Sequence, residues 1–160
     1  MATEKLKFKL ELYATMWDKP PHAEIMVGDK IYFDGDITST EDKPTLIEFE
    51  AELEEGKESS LMIKRTNKTS MQTVVNENGD LLKDQLLHIK SIEIDEIDIG
   101  GLVYEGVYTP TYPEPWATQQ KEAGVELEES FKNVTKMGHN GEWKLTFSSP
   151  FYVWLLENLY

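Results

Sequence analysis

The stretch KLKFKLELY, residues 5–13, alternates between charged and apolar side chains. A period of two residues predicts a β-strand with one buried and one solvated face. The same period recurs in Thr45–Leu53 and in Trp143–Phe147. Because antiparallel sheets with one buried face usually form sandwiches or barrels, we predict an all-β fold of one of these two kinds, as a single domain over residues 1–160.

Charge limits the partners that this chain can bind. Its 160 residues include 30 acidic and 16 basic side chains, a formal net charge of −14. Such a charge repels phosphate backbones and anionic lipid, so we expect neither nucleic acid nor membrane as a partner. The acidic residues either keep a β-rich protein soluble or bind a cation. The absence of cysteine excludes disulfides, thiol catalysis and cysteine zinc sites.

Neither a leader nor a membrane span is predicted. The opening MATEKLKFKLEL interleaves charges with apolar residues, unlike a secretory signal. The longest apolar run, residues 151–156, is far shorter than the roughly 20 residues that cross a bilayer.

Turn signals divide the rest of the chain into short strands. Gly28-Asp29 predicts a hairpin between strands at residues 23–27 and 30–33, followed by an acidic loop over residues 34–43. In LLHIKSIEIDEIDI, residues 86–99, the apolar parity changes twice, and a bulge or a short turn at each change would restore one buried face. We expect Gly100-Gly101 to open a further strand containing Val103.

Prolines interrupt the pattern before the last strand. We predict that residues 112–138 form an excursion on the sandwich surface, with short helices possible at residues 117–122 and 126–132. Asn140-Gly141 predicts a tight turn into the Trp143 strand. The apolar tail, residues 151–160, has helical spacing and leaves few polar faces.

Two acidic clusters are candidate metal sites. The first begins at Asp34 and Asp36 and lacks the glycine and the final carboxylate of a helix-loop-helix calcium loop. The second, Asp95, Glu96 and Asp98, follows a predicted strand. Each cluster binds calcium or is a solvated loop, and no other cofactor is expected.

Aromatic residues are the candidate contact surface. A proline-rich loop carries Trp17, and a second set lies before and within the excursion: Tyr104, Tyr108, Tyr112 and Trp116. These rings stack on sugars, anchor a protein interface or cover the protein's own core. The tail either closes the core or forms a docking site through its large side chains: Phe151, Trp154, Leu155 and Leu159.

No catalytic motif stands out, and we predict that the protein is not an enzyme. The three histidines, His22, His88 and His139, lie far apart in sequence, which argues against a zinc site. Neither a nucleophile elbow nor a phosphate-binding glycine loop is present. In so acidic a chain, paired carboxylates say little about glycoside hydrolysis.

The order of these pieces resembles the calcium-dependent xylan-binding type of carbohydrate-binding module, in the form found in small virion proteins of tailed phages, notably cyanophages. Four segments carry the resemblance: KFKLELYATMWDKPPHAEIMV, LIEFEAELEEGKESSLMIKRTNKT, NGDLLKDQLLHIKSIEIDEIDI and GHNGEWKLTFSSPFYVWLLENL. It covers most of residues 5–156 and implies that the all-β fold is a single antiparallel, jelly-roll-like β-sandwich over residues 1–160.

The resemblance implies a non-enzymatic structural or accessory protein of a virion, made in the host cytoplasm and placed on the capsid as decoration or on the tail. Its partners would be capsid or tail subunits, and a homo-oligomer is compatible with this role. The alternative that it implies is a calcium-assisted glycan-binding module for attachment to a host surface glycan.

Overall fold

Two antiparallel sheets face each other in the computed structural model, which describes residues 2–15, 19–66, 74–78, 81–112, 114–132 and 134–159. The first sheet has the order β12 (Lys136–Met137), β8 (Leu86–Ile94), β1 (Thr3–Thr15) and β4 (Thr45–Glu54), and β9 (Ile97–Asp98) also pairs with β8. The second has the order β11 (Phe131–Lys132), β10 (Val107–Pro110), β13 (Gly141–Ser148), β5 (Glu58–Thr66), β2 (His22–Val27) and β3 (Lys30–Asp36). A small separate pair joins β6 (Val74–Val75) and β7 (Leu81–Lys83). The predicted all-β sandwich is confirmed.

Strand β1 has the predicted faces. Its inward side chains are fully buried: Leu6, Phe8, Leu10 and Leu12. Its outward lysines at positions 5, 7 and 9 lie directly opposite the glutamates at positions 52, 50 and 48 of β4. Opposite charges across neighbouring strands favour this register, and a slip by one residue would expose the whole apolar face.

A column of aromatic rings joins the two sheets. Phe8 stacks on Phe49 with 5.1 Å between ring centroids, and Phe49 stacks on Tyr32 of β3 at 4.6 Å. On its other side Phe8 contacts Phe147 of β13 at 6.2 Å. The stack therefore closes the edge of the sandwich where β3 and β4 approach each other.

Residues 86–99, where the apolar parity changes twice, contain one β-bulge and one short turn. In β8 the pairing shifts from Glu11 opposite Ser91 to Leu12 opposite Ile89, which leaves Lys90 as the extra residue of a bulge. The second change is a two-residue turn between β8 and β9, whose central residues 95 and 96 have φ angles of 53° and 66°. Positive φ at both positions is typical of a type I′ hairpin turn.

The predicted strand at Val103 is wrong. Residues Gly100–Glu105 form a 3₁₀ helix, and strand β10 begins only at Val107. The helix directs Leu102 into the core, where it is 6% exposed. Gly106 then lies against the ring of buried Trp143, where an added Cβ would be only 2.2 Å from the ring. The close approach to Trp143, rather than apolar alternation, determines this part of the path.

The excursion at residues 112–138 contributes to both sheets. Helix α1 (Trp116–Glu122) confirms the first predicted helix, whereas the second is wrong, because residues 131–132 form β11 instead. β11 pairs with β10 of the second sheet and β12 pairs with β8 of the first. Much of the excursion is exposed, as predicted, but Met137 is fully buried and anchors it in the core.

The apolar tail forms helix α2 (Phe151–Leu159), which covers one end of the core. Phe151 is fully buried and its backbone N–H donates to the Glu4 carboxylate at 3.0 Å, while the Ser149 hydroxyl donates to the same carboxylate at 2.7 Å. A carboxylate at this position satisfies a free N–H and favours the helix dipole. No helix within the described residues is long and apolar enough to span a membrane.

We expect Leu10→Ala to lower the free energy of unfolding by about 2–5 kcal/mol, because it leaves a cavity at the centre of β1. Leu46→Ala is the matched control, since Leu46 is 50% exposed on the neighbouring strand. Urea denaturation of both variants measures the difference. Equal, small losses would show that the inward face of β1 is not the core.

Candidate functional site

Three aromatic side chains gather at one end of the sandwich: Tyr112, Trp116 and His139. Their ring centroids lie 5.9 Å apart for Tyr112 and Trp116, 5.2 Å for Tyr112 and His139, and 5.6 Å for Trp116 and His139. Trp116 is 37% exposed, and the other two are half-buried. We call this group the ring cluster; its ring planes are inclined to one another by 34° to 68°, and Trp116 is its exposed member.

Hydrogen bonds fix the ring cluster to the sheet beneath it. The Tyr112 hydroxyl donates to the carbonyl oxygen of Glu128 at 2.6 Å, and the N–H of Thr111 donates to the carbonyl of Asn140 at 2.6 Å. The Tyr108 hydroxyl donates to the His139 carbonyl at 2.6 Å and lies 2.9 Å from the His139 N–H. Burial raises the pKa of Tyr108 to about 12, so its hydroxyl remains a donor at neutral pH.

A shallow depression of about 400 Å³ is lined by residues of β5, β10 and β13 and of the segments next to them. Two of its lining residues, Thr111 and Asn140, are the sequence neighbours of Tyr112 and His139. The remaining side chains on its wall include an ammonium, a carboxylate and two hydroxyls, from Lys64, Glu142, Thr66 and Thr109. Such a surface combines ring stacking with hydrogen bonds to a polyhydroxylated ligand.

A buried polar network holds the neighbouring segments at this end. The Arg65 guanidinium is fully buried, and its Nη2 donates to the backbone carbonyl of Gln85 at 2.9 Å. The amide of Gln85 donates in turn to the carbonyl of Lys19 at 2.6 Å. Burial lowers the pKa of Arg65 to about 10, a value still well above neutral pH, so the guanidinium is charged there. The network ties β5 to the chain before β2 and before β8.

The predicted contact residues divide into four groups. Tyr112 and Trp116 come together in the ring cluster, as reported above. The assignment of Tyr108, Phe151 and Leu155 to an exposed contact surface needs correction, because each is at most 5% exposed and packs in the protein's own core. Half-buried Trp154 packs against Phe147 and Phe151. Trp17 and the side chains of Tyr104 and Leu159 lie outside the described residues.

The carboxylates of the second acidic cluster support a turn. Asp95 Oδ1 accepts a hydrogen bond from the N–H of Lys7 at 2.8 Å, and Asp98 Oδ1 accepts one from the N–H of Gly100 at 2.7 Å. Glu96 is exposed in the turn between them. These bonds use backbone donors that the hairpin leaves without a strand partner.

The first acidic cluster lies on a strand and not in a loop. Asp34 and Asp36 belong to β3, where the pairing of the hairpin places them beside His22 of β2. One ring nitrogen of His22 lies 2.8 Å from Asp36 Oδ1, and the other contacts Asp34 Oδ1. The hydrogen bond to Asp36, above all, raises the pKa of His22, and the bond to Asp34 adds to this effect.

The carboxylates of both acidic clusters make hydrogen bonds in the structure. Asp34 and Asp36 contact His22, and Asp95 and Asp98 each accept a bond from a backbone N–H through one oxygen. Throughout the described residues, no three or more acidic or histidine side chains are arranged to hold a metal ion.

Sequence reasoning missed two contacts of histidine. The His22 cluster follows from the Gly28-Asp29 hairpin, because extending its strands would have placed His22 opposite Asp36. The contact of His139 with Tyr112 and Trp116 carries no such local signal, since it depends on the tertiary path of the excursion.

We expect the His22 cluster to make stability depend on pH. The raised pKa means that its contribution is fully present below about 6.5, the ordinary value, and is lost as the pH rises through the value in the folded protein. Thermal melts of the wild type and of His22→Gln between pH 5 and pH 9, in steps of about one unit, test this expectation. The two melting curves should differ most at low pH and converge at high pH; a constant difference would contradict the assignment.

Comparison with known proteins identifies a fold. No protein-family model matches the chain, and no curated protein matches it. Among solved structures it is similar to the selenomethionine form of vCBM60, a calcium-dependent carbohydrate-binding module, with a TM-score of 0.50, 9% identity and coverage of 87% of this chain and 88% of that one. A second structure, vCBM60 in complex with galactobiose, gives a TM-score of 0.48 and 9% identity over 86% of this chain and 95% of that one. The shared feature is the β-sandwich architecture.

Proposed function

We propose that the protein is a non-catalytic carbohydrate-binding module that holds a saccharide on the ring cluster. The observation that carries this proposal is the exposed Trp116 ring, packed with Tyr112 and His139 beside a depression lined by hydroxyl, amide and charged groups. A sugar ring places its apolar C–H face on an aromatic ring and its hydroxyls against polar neighbours. The likeness of the fold to vCBM60 supports the same class of ligand.

The negative charge of the protein disfavours anionic saccharides as ligands. The wall of the depression carries both Lys64 and Glu142, whereas the whole chain has a net charge of −14. A polyanionic glycan would be repelled by the field of the protein. The proposed ligand is therefore a neutral oligosaccharide or polysaccharide.

A glycan array, followed by titration with the best-bound saccharide, tests this function. Trp116→Ala should weaken binding about tenfold, which corresponds to about 1.4 kcal/mol, because it removes the exposed stacking ring. Tyr152→Ala is the matched control, since this ring is 48% exposed at the opposite end of the sandwich. Binding to no saccharide, or an equal effect of the two substitutions, would contradict the proposal.

The same titration with calcium and with a chelator separates two versions of the site. We expect binding by the ring cluster to persist in the chelator, because Asp34, Asp36, Asp95 and Asp98 hold a histidine or a turn. Loss of binding on chelation would favour the calcium-assisted mechanism, and Asp→Asn substitutions at the acidic clusters would then locate the ion.

We propose as a second role that the module is an accessory protein of a tailed-phage virion, on the capsid or the tail. The sequence resemblance described above motivates this role, and the exposed apolar side of α2 is a surface that an assembled particle would cover. Both roles are compatible in one protein, because the ring cluster precedes β13 and α2 follows it.

Mass spectrometry of gradient-purified particles of the phage that carries the gene tests the second role. The protein should be present in a constant ratio to the capsid or tail subunits and should remain bound in a chelator. Recovery only in the soluble fraction of the lysate would contradict a virion role and would leave glycan binding unaffected.

A further inference from the structure

Helix α2 is apolar on both sides. Its inner side packs through buried Phe151 and Leu155. Its outer side exposes a stripe, which we call the α2 stripe, of Tyr152, Val153 and Leu156, with exposed fractions of 48%, 52% and 58%. A helix with large apolar side chains on two opposite sides is normally covered on both of them. The α2 stripe is therefore an unusual surface for so acidic a chain.

Negative charge borders the α2 stripe. The Tyr152 hydroxyl lies 3.4 Å from Asp95 Oδ2, and Glu157 is exposed on the helix next to Leu156. Partial desolvation and then the charges of Asp95, Glu4 and Glu96 raise the pKa of Tyr152, in agreement with an acidic rim. Among these rim groups, the Glu4 carboxylate also caps α2.

We propose that the α2 stripe is a docking surface for a positively charged amphipathic segment of another protein. The apolar side chains of that segment would cover Val153 and Leu156, and its lysines or arginines would face Asp95, Glu96 and Glu157. The helix has nine residues and is about 13 Å long, so it matches two to three turns of a partner helix.

Charge favours this partner over the two other occupants. In a symmetric pair of copies, the acidic rim of one α2 would meet the same rim of the other, and each copy has a net charge of −14. An anionic lipid surface would be repelled by the same groups. The docking surface is also separate from the ring cluster, because the two lie at opposite ends of β13.

A labelled amphipathic peptide of leucine and lysine tests the surface by fluorescence anisotropy. A peptide with the same leucine positions and glutamate in place of lysine is the charge control. Leu156→Glu should weaken binding of the leucine-lysine peptide at least tenfold, although it makes the protein more acidic. Leu82→Glu is the matched control, since Leu82 is 59% exposed elsewhere, and it should leave binding unchanged. Purely electrostatic attraction would strengthen with both substitutions.

A second variant reverses the rim and leaves the apolar stripe intact. Glu96→Lys combined with Glu157→Lys should weaken binding of the leucine-lysine peptide, and added salt should weaken binding to the wild type. Circular dichroism melts check that each variant is folded, and titration with a neutral saccharide should give wild-type affinity. Loss of peptide binding is thereby distinguished from failure of the glycan proposal.

Several results would overturn the proposal. These are equal binding of the leucine-glutamate peptide, unchanged or tighter binding to Leu156→Glu, and no detectable binding to the wild type. Self-association in analytical ultracentrifugation that Leu156→Glu abolishes would assign the α2 stripe to a second copy. Sedimentation with vesicles of phosphatidylcholine and phosphatidylglycerol that depends on Leu156 would assign it to lipid.

Discussion

Burial of one face of β1 is the constraint on which the rest of the structure depends. β1 pairs with both β4 and β8, and its Phe8 reaches across the core to Phe147. Near its start, Glu4 caps α2, and at its end the Thr15 hydroxyl lies 2.8 Å from His88 Nε2. A slip by one residue would exchange buried leucines for lysines and would also displace the cap of α2. One register thus positions both sheets and the C-terminal helix.

Strand β13 connects two surfaces of different chemistry. Just before its beginning, His139 belongs to the ring cluster and Asn140 lines the depression. The proposed saccharide would stack on the rings and form hydrogen bonds with the residues of the depression. At its end, α2 closes the core and leaves three large apolar side chains exposed. Because the two surfaces lie at opposite ends of β13, the proposed saccharide and the proposed protein partner would not compete for the same residues.

The parts of the fold that follow from the two-residue alternation of apolar and polar side chains were predictable from the sequence. The parts that follow from tertiary contacts were not. The alternation in β1, β4 and β13 identified the buried faces correctly, since each strand has one wet side. The 3₁₀ helix after Ile99 was missed, because this part of the chain depends on the fit of Gly106 against Trp143, and such a contact leaves no periodic pattern in the sequence. In the candidate site, Tyr112 and Trp116 were visible as an aromatic loop, whereas His139 joins them only through the fold.

The carboxylates show why a shared architecture does not determine a shared ligand chemistry. At 9% identity, the likeness to a calcium-dependent module describes the sandwich, and the ligands of an ion must come from this chain's own residues. Here Asp95 and Asp98 accept backbone hydrogen bonds that stabilise a hairpin and a 3₁₀ helix, and Asp34 and Asp36 hold His22. A carboxylate that accepts a backbone hydrogen bond keeps a second oxygen, but calcium needs about six to eight oxygen ligands, and within the described residues no three acidic or histidine side chains are arranged to hold an ion. The proposed recognition of a saccharide by the ring cluster therefore rests on stacking, which needs no ion.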